Sequence, residues 1–400
     1  MECTRKVMGF HPIRRSSALQ KYYRVLITGR DLREGFRDIW EDENSQPPGD
    51  GGNSWRNKRG HLLTTFISLT AAILGYPTTY EMSSEEGSVP KAVLYYSPRS
   101  VWSAVALLGL YEKGYATDEV ELQIVDLATL PTLVVPLQKT LSEDVESRYK
   151  AITESKVGIR QIDKSRSAQS RTNTTSEAPA PMLTPATVAF LEMGKEVIDL
   201  LHSEDADPNN LWYYNARDAE SLRKHSADVL PVLKGRADAL ARFLDDAASE
   251  KIHVSEKTKQ FWIGKKAGVD ALLDVFVLGD KADSELSESD RAKRAAYFAA
   301  ATNGWAEIKK ALQKLDKAVI GPYALGDQFS IADLHLTAWL ARIASLVGGS
   351  AGDDGKTIVR KLGDAIGEET SEERRTKVGT YWDQVRERES WKKVYGAGVF

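Results

Sequence analysis

The 400-residue chain contains a single cysteine, Cys3. One thiol can form no disulfide within the chain and no cysteine-built metal centre, and the usage fits a reducing compartment. Its six histidines (His11, His61, His202, His225, His253 and His335) show neither HxxxH nor HExxH spacing. That argues against a histidine-built metal site, and we expect no metal. Basic charge is not in excess either: 54 Lys and Arg face 57 Asp and Glu, for a net charge of -3. With no basic stripe, a general nucleic-acid binder is disfavoured. The apolar run from Leu62 to Tyr76, about 15 residues, falls short of the roughly 20 that a bilayer span requires.

What is present divides the chain into parts. Residues 1–88 combine a basic start, a stretch rich in Pro, Gly and Asn around SQPPGDGGNS, and RNKRG ahead of the 62–76 run. A cleavable signal belongs much nearer the N-terminus than that run, so this part reads as a poorly ordered extension. Met82 resembles a natural start, which would make residues 1–81 an artefact of start-site choice. A membrane-tethered regulator using residues 62–76 is the alternative for this part.

From Lys91 the pattern is sharper. KAVLYYSPRSVWSAVALLGLYEKG reads as a strand over Val93–Tyr96 running into a helix, with Pro98 suited to the first helical position. Ser97, Ser100 and Ser103 lie at that junction. Unpaired backbone N–H groups of a first helical turn stabilise an anion by about 0.3–1 kcal/mol, and a serine hydroxyl there can donate to a thiolate. Further strands are expected over Val120–Val125, Thr132–Leu137 and Tyr149–Thr153, then a helix from Ser155 to about Lys164.

This βαβ-then-ββα order is a thioredoxin-like plan, occupying residues 89–165. Residues 166–185, rich in Ser, Thr and Pro, predict a mobile linker. From 186 to 400 the periodicity is helical, with helices expected at Thr187–Leu201, Ala216–Ala248, Ser255–Leu278, Ser287–Val319, Ser330–Leu346 and Val378–Val394. The expected fold class is therefore α+β in two domains, a thioredoxin-like α/β domain followed by an all-α helical bundle. Trp212, Tyr213 and Tyr214 precede a long helix, where they would either line a cleft between the halves or fill the bundle core.

SPRS at the strand–helix junction, LPTLV, TES before a short helix, and GDQFSIADLHL in the helical half together resemble the glutathione transferase family. The resemblance covers roughly Lys91 to Tyr395. The last helix, RERESWKKVY, is similar to the family's too, and the insertion at 166–185 resembles one found in fungal members. Ser330 and Asp333 match the family's S-x-x-D capping box, in which the carboxylate reaches back to the first turn.

By that resemblance Ser100 would be the catalytic serine, donating to the glutathione sulfur, with Ser97 its rival and the natural N-cap before Pro98. Ser103, Tyr95 and Tyr96 stay open. Pro131 would follow a cis bond that turns Leu130 toward the cysteinyl part of glutathione, and Glu154 with Ser155 would hold the γ-glutamyl end. The resemblance implies glutathione as co-substrate, a small hydrophobic electrophile as its partner, Trp212, Tyr213 and Tyr214 near that electrophile, a homodimer, and a cytoplasmic location. With no cysteine at the junction, thiol exchange through a mixed disulfide is disfavoured.

One departure concerns the region before Pro131. The family places a helix between its second and third strands, and here only Asp126–Leu130 intervene. That shortened second-helix region would remove side chains that hold the glycyl carboxylate. A right-handed crossover between parallel strands also needs a dozen residues or more. A non-catalytic carrier or interaction module on the same fold is the alternative reading.

Overall fold

A computed structural model describes residues 91–125, 131–136, 149–169, 174–368 and 376–399. The extension over 1–88, the 62–76 run, Met82 and Leu130 lie outside the described residues. The chain divides into two compact units, Val89–Asp245 with Ser255–Phe400, and Met1–Ser88 with Asp246–Val254. Of the second, only residues 246–254 are described, and the account below concerns the first.

Four strands open the described chain: β1 (Ala92–Tyr96), β2 (Val120–Ile124), β3 (Thr132–Pro136) and β4 (Tyr149–Ile152). They form one sheet in the order β2-β1-β3-β4. β1 pairs parallel with β2, while β3 is antiparallel to both β1 and β4. Leu94, Leu133 and Ile152 share one register row across three strands and are all buried. This row is the apolar face of the sheet.

The antiparallel setting of β3 removes the crossover problem. Ile124 pairs with Tyr96, and Thr132 pairs with Tyr95, so the end of β2 and the start of β3 flank β1 at one edge of the sheet. Two strand spacings, about 10 Å, separate them. Residues 125–131 span that easily at about 3.3 Å each. β2 and β3 therefore run antiparallel, and the dozen-residue requirement does not apply between them.

α1 (Val101–Glu112) follows β1, and α2 (Ser155–Ser165) follows β4. Residues Val101 and Ser103–Leu110 of α1 are buried on all sides, as expected of a helix that is apolar all round. It packs on α2 and, in the helical part, on the helices Ile331–Leu346 and Glu389–Tyr395. A Cβ at Gly109 would lie 2.1 Å from Ile159 Cδ1 and 3.5 Å from Leu334 Cδ1. The absent side chain is what lets α1 approach both neighbours.

The helical part comprises α3 (Val188–Leu201), α4 (Pro208–Tyr213), α5 (Ala219–Ala248), α6 (Glu256–Phe276), α7 (Glu288–Ala318), α8 (Ile331–Leu346), α9 (Gly355–Ile366), α10 (Lys377–Arg386) and α11 (Glu389–Tyr395). The protein is thus a thioredoxin-like α/β domain followed by an all-helical one. α8 is its axis, buried from Ile331 to Ala344. Its start is fixed by Asp333, which accepts from the Ser330 amide (2.8 Å), the Ser330 hydroxyl (2.6 Å) and the Ala324 amide (2.7 Å).

Three elements differ from the sequence reading. The six-residue α4 and the glycine-flanked α9 carry too short or too polar a pattern to announce themselves. The helix expected over Val378–Val394 is two, α10 and α11. Between them Arg388 is extended, because its guanidinium forks onto Glu112, donates to Tyr323 Oη (2.9 Å) and lies 4.2 Å over the Phe329 ring. A helical Arg388 would forfeit that grip on α1.

The mobile linker expected over 166–185 is a second difference. Residues 170–173 lie outside the described residues, but 174–184 are fastened down. Arg166 donates to the carbonyls of Lys113, Pro179 (3.2 Å), Ser176 (3.2 Å) and Ala178 (2.8 Å), and to Thr174 Oγ1 (3.3 Å). Leu183 is buried, and its carbonyl accepts from the Ile331 amide at 3.0 Å. Polar composition hides this, since the fastening is done by backbone carbonyls and one arginine. Among the described residues no helix is long and apolar enough to cross a membrane.

Candidate functional site

β1 and β4 run in the same direction, each antiparallel to the β3 between them. Their C-terminal ends therefore reach the same edge of the sheet, and each feeds a helix there. The N-terminus of α1, the start of β3 at Pro131–Thr132 and the N-terminus of α2 consequently lie side by side. Two strand spacings, about 10 Å, separate β1 from β4. An extended tripeptide is of similar length, about 10 Å.

At the first position the chain departs from the expected capping. Ser100, not Ser97, is the N-cap of α1: it is extended (φ -89°, ψ 123°), and its Oγ accepts from the Ser103 amide at 3.2 Å. Pro98 is not helical but lies in the turn closed by the Ser100 amide on the Ser97 carbonyl (3.0 Å). That turn suits proline at its second position, and it delays the helix by three residues relative to the sequence reading.

Ser97 is 4 % exposed, and its amide donates to Ser103 Oγ at 3.2 Å. Ser103 is fully buried. Ser100 is half-exposed. Capping uses a lone pair of its oxygen and leaves the hydroxyl proton to donate elsewhere. Tyr95 and Tyr96 on β1 are half-buried.

At the second position Pro131 and Thr132 are buried. Leu130, and with it the Leu130–Pro131 bond, lies outside the described residues. At the third, Glu154 is the N-cap of α2 through its carbonyl, which accepts from Val157 (3.0 Å) and Gly158 (2.8 Å). Its carboxylate makes no cap bond, and Glu154 and Ser155 are both half-buried. Helix polarity favours anions here.

The helical part closes on the α1 end through residues that no motif marks. Trp102 stacks on His202 with ring centroids 3.8 Å apart, and His202 Nε2 lies 3.0 Å from His335 Nδ1. Burial, then the neighbouring His202, hold His335 well below the ordinary histidine pKa, so it is neutral. Arg342 Nη2 donates to the Arg99 carbonyl at 2.5 Å. Sequence signals for these existed only as a histidine and an arginine on the apolar α8 pattern, which nothing distinguished from ordinary packing.

The three aromatics expected at a cleft are divided. Trp212 packs edge-on to His225, 6.0 Å between centroids, and its carbonyl lies 2.6 Å from His225 Nε2. Tyr214 stacks on Tyr297 at 5.4 Å. Tyr213 Oη accepts from Arg236 at 3.1 Å. All three are half-buried at the end of α4.

No family model matches the chain, and no curated protein matches it. Among solved structures it is similar in outline to glutathione transferase Omega 3C from Trametes versicolor, at 14% identity over 77% of this chain and 85% of that one, TM-score 0.38. It is also similar to glutathione transferase F7 from Populus trichocarpa, at 13% identity over 76% and 97%, TM-score 0.35. A third is a glutathione S-transferase from Methylobacillus flagellatus KT with GSH bound, at 13% identity over 76% and 98%, TM-score 0.32.

Proposed function

We propose that the protein is a serine-type glutathione transferase. The observation that carries this reading is the alignment of Ser100, Pro131–Thr132 and Glu154–Ser155 along one sheet edge, over a span that matches a tripeptide. Ser100 is the one serine of the junction that is both accessible and free to donate. Its hydroxyl donates to the glutathione sulfur, and the N-terminus of α1 adds positive potential, so the thiol pKa falls from about 8.5 toward neutrality.

The thiol proton leaves to solvent. The thiolate then attacks a small hydrophobic electrophile, forming a carbon–sulfur bond while the leaving group departs with its electron pair. Leu130 and Pro131 hold the cysteinyl part, and Glu154 with Ser155 hold the γ-glutamyl amine and carboxylate. A fungal, cytoplasmic, homodimeric enzyme completes the reading.

The test is retention on immobilised glutathione together with turnover of 1-chloro-2,4-dinitrobenzene, in wild type and in Ser100→Ala and Ser97→Ala variants of matched stability. Loss of turnover with Ser97→Ala but not with Ser100→Ala overturns the assignment of Ser100. Absence of both retention and turnover overturns the glutathione reading. A non-catalytic carrier is the second reading. It is favoured by the length of the β2–β3 connection in the sequence, too few residues for the family's helix at the glycyl end, and binding without turnover would select it.

A further inference from the structure

Arg342 stands apart from the protein's other well-buried arginines. Arg166 spends its guanidinium on four carbonyls and a threonine, and Arg294 on the carbonyls of Lys281 and Leu278 and the Asp283 carboxylate. Arg342 is 9 % exposed, yet among the described residues its guanidinium makes one hydrogen bond, from Nη2 to the Arg99 carbonyl. Among the described residues its Nε has no partner, as is also true of Arg294, but unlike Arg294 it has no carboxylate in ion-pair contact. Guanidinium stays protonated in proteins. An unpaired charge taken from water is costly unless something compensates it.

The neighbouring charges do little to compensate. Arg99 adds the same sign, while Tyr395, Asp207 and Tyr213 act in the opposite sense. Tyr395 is fully buried, and burial raises its pKa further above the ordinary tyrosine value, so it is neutral. Asp207 already caps α4, accepting from the Asn209 amide at 2.8 Å, and burial pushes its carboxyl up. A positive, dry spot therefore lies beside Ser100, whose own amide belongs to the peptide that Arg342 grips. It is set on the α8 side of the α1 terminus, whereas Glu154 and Ser155 lie across β3 on the other.

We infer that Arg342, with Arg99, forms an anion-binding subsite for the electrophile, so that the preferred acceptor carries a carboxylate close to its reacting carbon. This rests on the glutathione reading above. The carboxylate bridges the Arg342 guanidinium by charge-assisted hydrogen bonds while the ring carbon faces the sulfur held by Ser100. With an aryl chloride, the sulfur–carbon bond forms, the carbon–chlorine bond breaks, and chloride leaves with the bonding pair.

The experiment uses the full chain and a matched pair of acceptors, 2-chloro-5-nitrobenzoate and its methyl ester, which share ring and leaving group, carry the carboxyl carbon next to the reacting carbon, and differ in charge. Rates are taken relative to the uncatalysed reactions. Arg342→Gln should lower the acid-to-ester ratio of kcat/KM about tenfold or more, the effect of losing a hydrogen bond between charged partners, and Arg342→Lys should recover part of it. Arg99→Gln, at an exposed position, should lower the same ratio by less and serves if the buried variant fails to fold. Equal losses for acid and ester overturn the inference.

Binding of the acid and the ester without glutathione, followed by quenching of tryptophan fluorescence, separates the two readings. If nothing is conjugated, the transferase reading fails. Charge-selective binding that depends on Arg342 would still support this subsite, and equal affinity for acid and ester would overturn it.

Discussion

Lys113 and Asp163 form an ion pair with Nζ 3.0 Å from Oδ1 and side chains 2 % and 3 % exposed. It joins the end of α1 to α2, and both partners turn their remaining bonds to the strap over residues 174–184. Lys113 donates to the Pro181 carbonyl at 2.8 Å. Asp163 accepts from the amides of Leu183 (3.0 Å) and Thr184 (3.0 Å) and from the Thr184 hydroxyl (2.6 Å). Neither buried charge is thereby left without hydrogen-bonding partners.

Breaking one side of this pair strands a charge. Lys113→Met is expected to destabilise by about 3–5 kcal/mol, and the double change Lys113→Met with Asp163→Leu by less than the sum of the singles. Burial pushes the Asp163 carboxyl up, but the Thr184 hydroxyl, the Leu183 amide and Lys113 outweigh it, and the net pKa lies below the ordinary value of 3.8. Its contribution is therefore present above about pH 4 and lost as pH falls through the folded value. Urea denaturation of the four variants checks the coupling.

Gly114 ends α1 with φ at +67°, and a Cβ there would lie 2.6 Å from the Pro179 carbonyl oxygen and 2.9 Å from the Ala178 Cβ. Gly114→Ala meets a left-handed penalty of about 1–2 kcal/mol and pushes the strap outward. A melting point lower by several degrees, with faster proteolysis confined to residues 174–184, is the expected result. Unchanged cleavage there would show that the strap does not depend on this close approach.

Ser100→Ala removes both a cap and the proposed donor to sulfur. The cap accounts for about 0.5–2 kcal/mol of stability, and the lost bond to a charged sulfur for about 1.5–3 kcal/mol in thiolate formation. Ultraviolet absorbance of bound glutathione titrated against pH should show the thiol pKa rising by about one to two units. Ser97→Ala should leave it in place, because Ser97 is enclosed beside Ser103.

Asp333 is fully buried, and that burial raises its pKa from 3.8 to about 6 despite the bonds from Ser330 and Ala324. A raised carboxyl favours the folded state while it is protonated. The contribution is complete below about pH 4 and is lost as pH rises through about 6, a swing on the order of 3 kcal/mol. Asp333→Asn should flatten the dependence of the denaturation midpoint on pH between 4 and 6. A slope equal to wild type would place the titration elsewhere.

How much of this was readable beforehand differs from element to element. The four strands and α2 were placed to within about a residue or two by β-favouring runs and turn punctuation, because those are local preferences of the backbone. α8 was signalled by SIADLHL, whose serine and aspartate must lie three apart to cap. The start of α1 was misplaced, since Pro98 satisfies a turn as readily as a first helical position, and only hydrogen-bond closure decides between them. The cluster Trp102–His202–His335 and the sparsely bonded Arg342 carried no local signal, because their partners lie a hundred residues or more away.

The sequence by itself determined the order of strands and helices, the serines at the β1–α1 junction, and the absence of cysteine chemistry there. Tertiary structure alone decided that β3 runs antiparallel, which brings Ser100 and Glu154 to one edge and makes a short β2–β3 connection sufficient. It alone decided that Arg166, Lys113 and Asp163 fasten a segment whose composition reads as loose, and that Arg342 is buried beside Ser100 with no carboxylate paired to it among the described residues. The reason is physical: propensity and spacing act over a few residues, whereas strand direction, buried ion pairs and stranded charges are settled by contacts between distant parts of the chain.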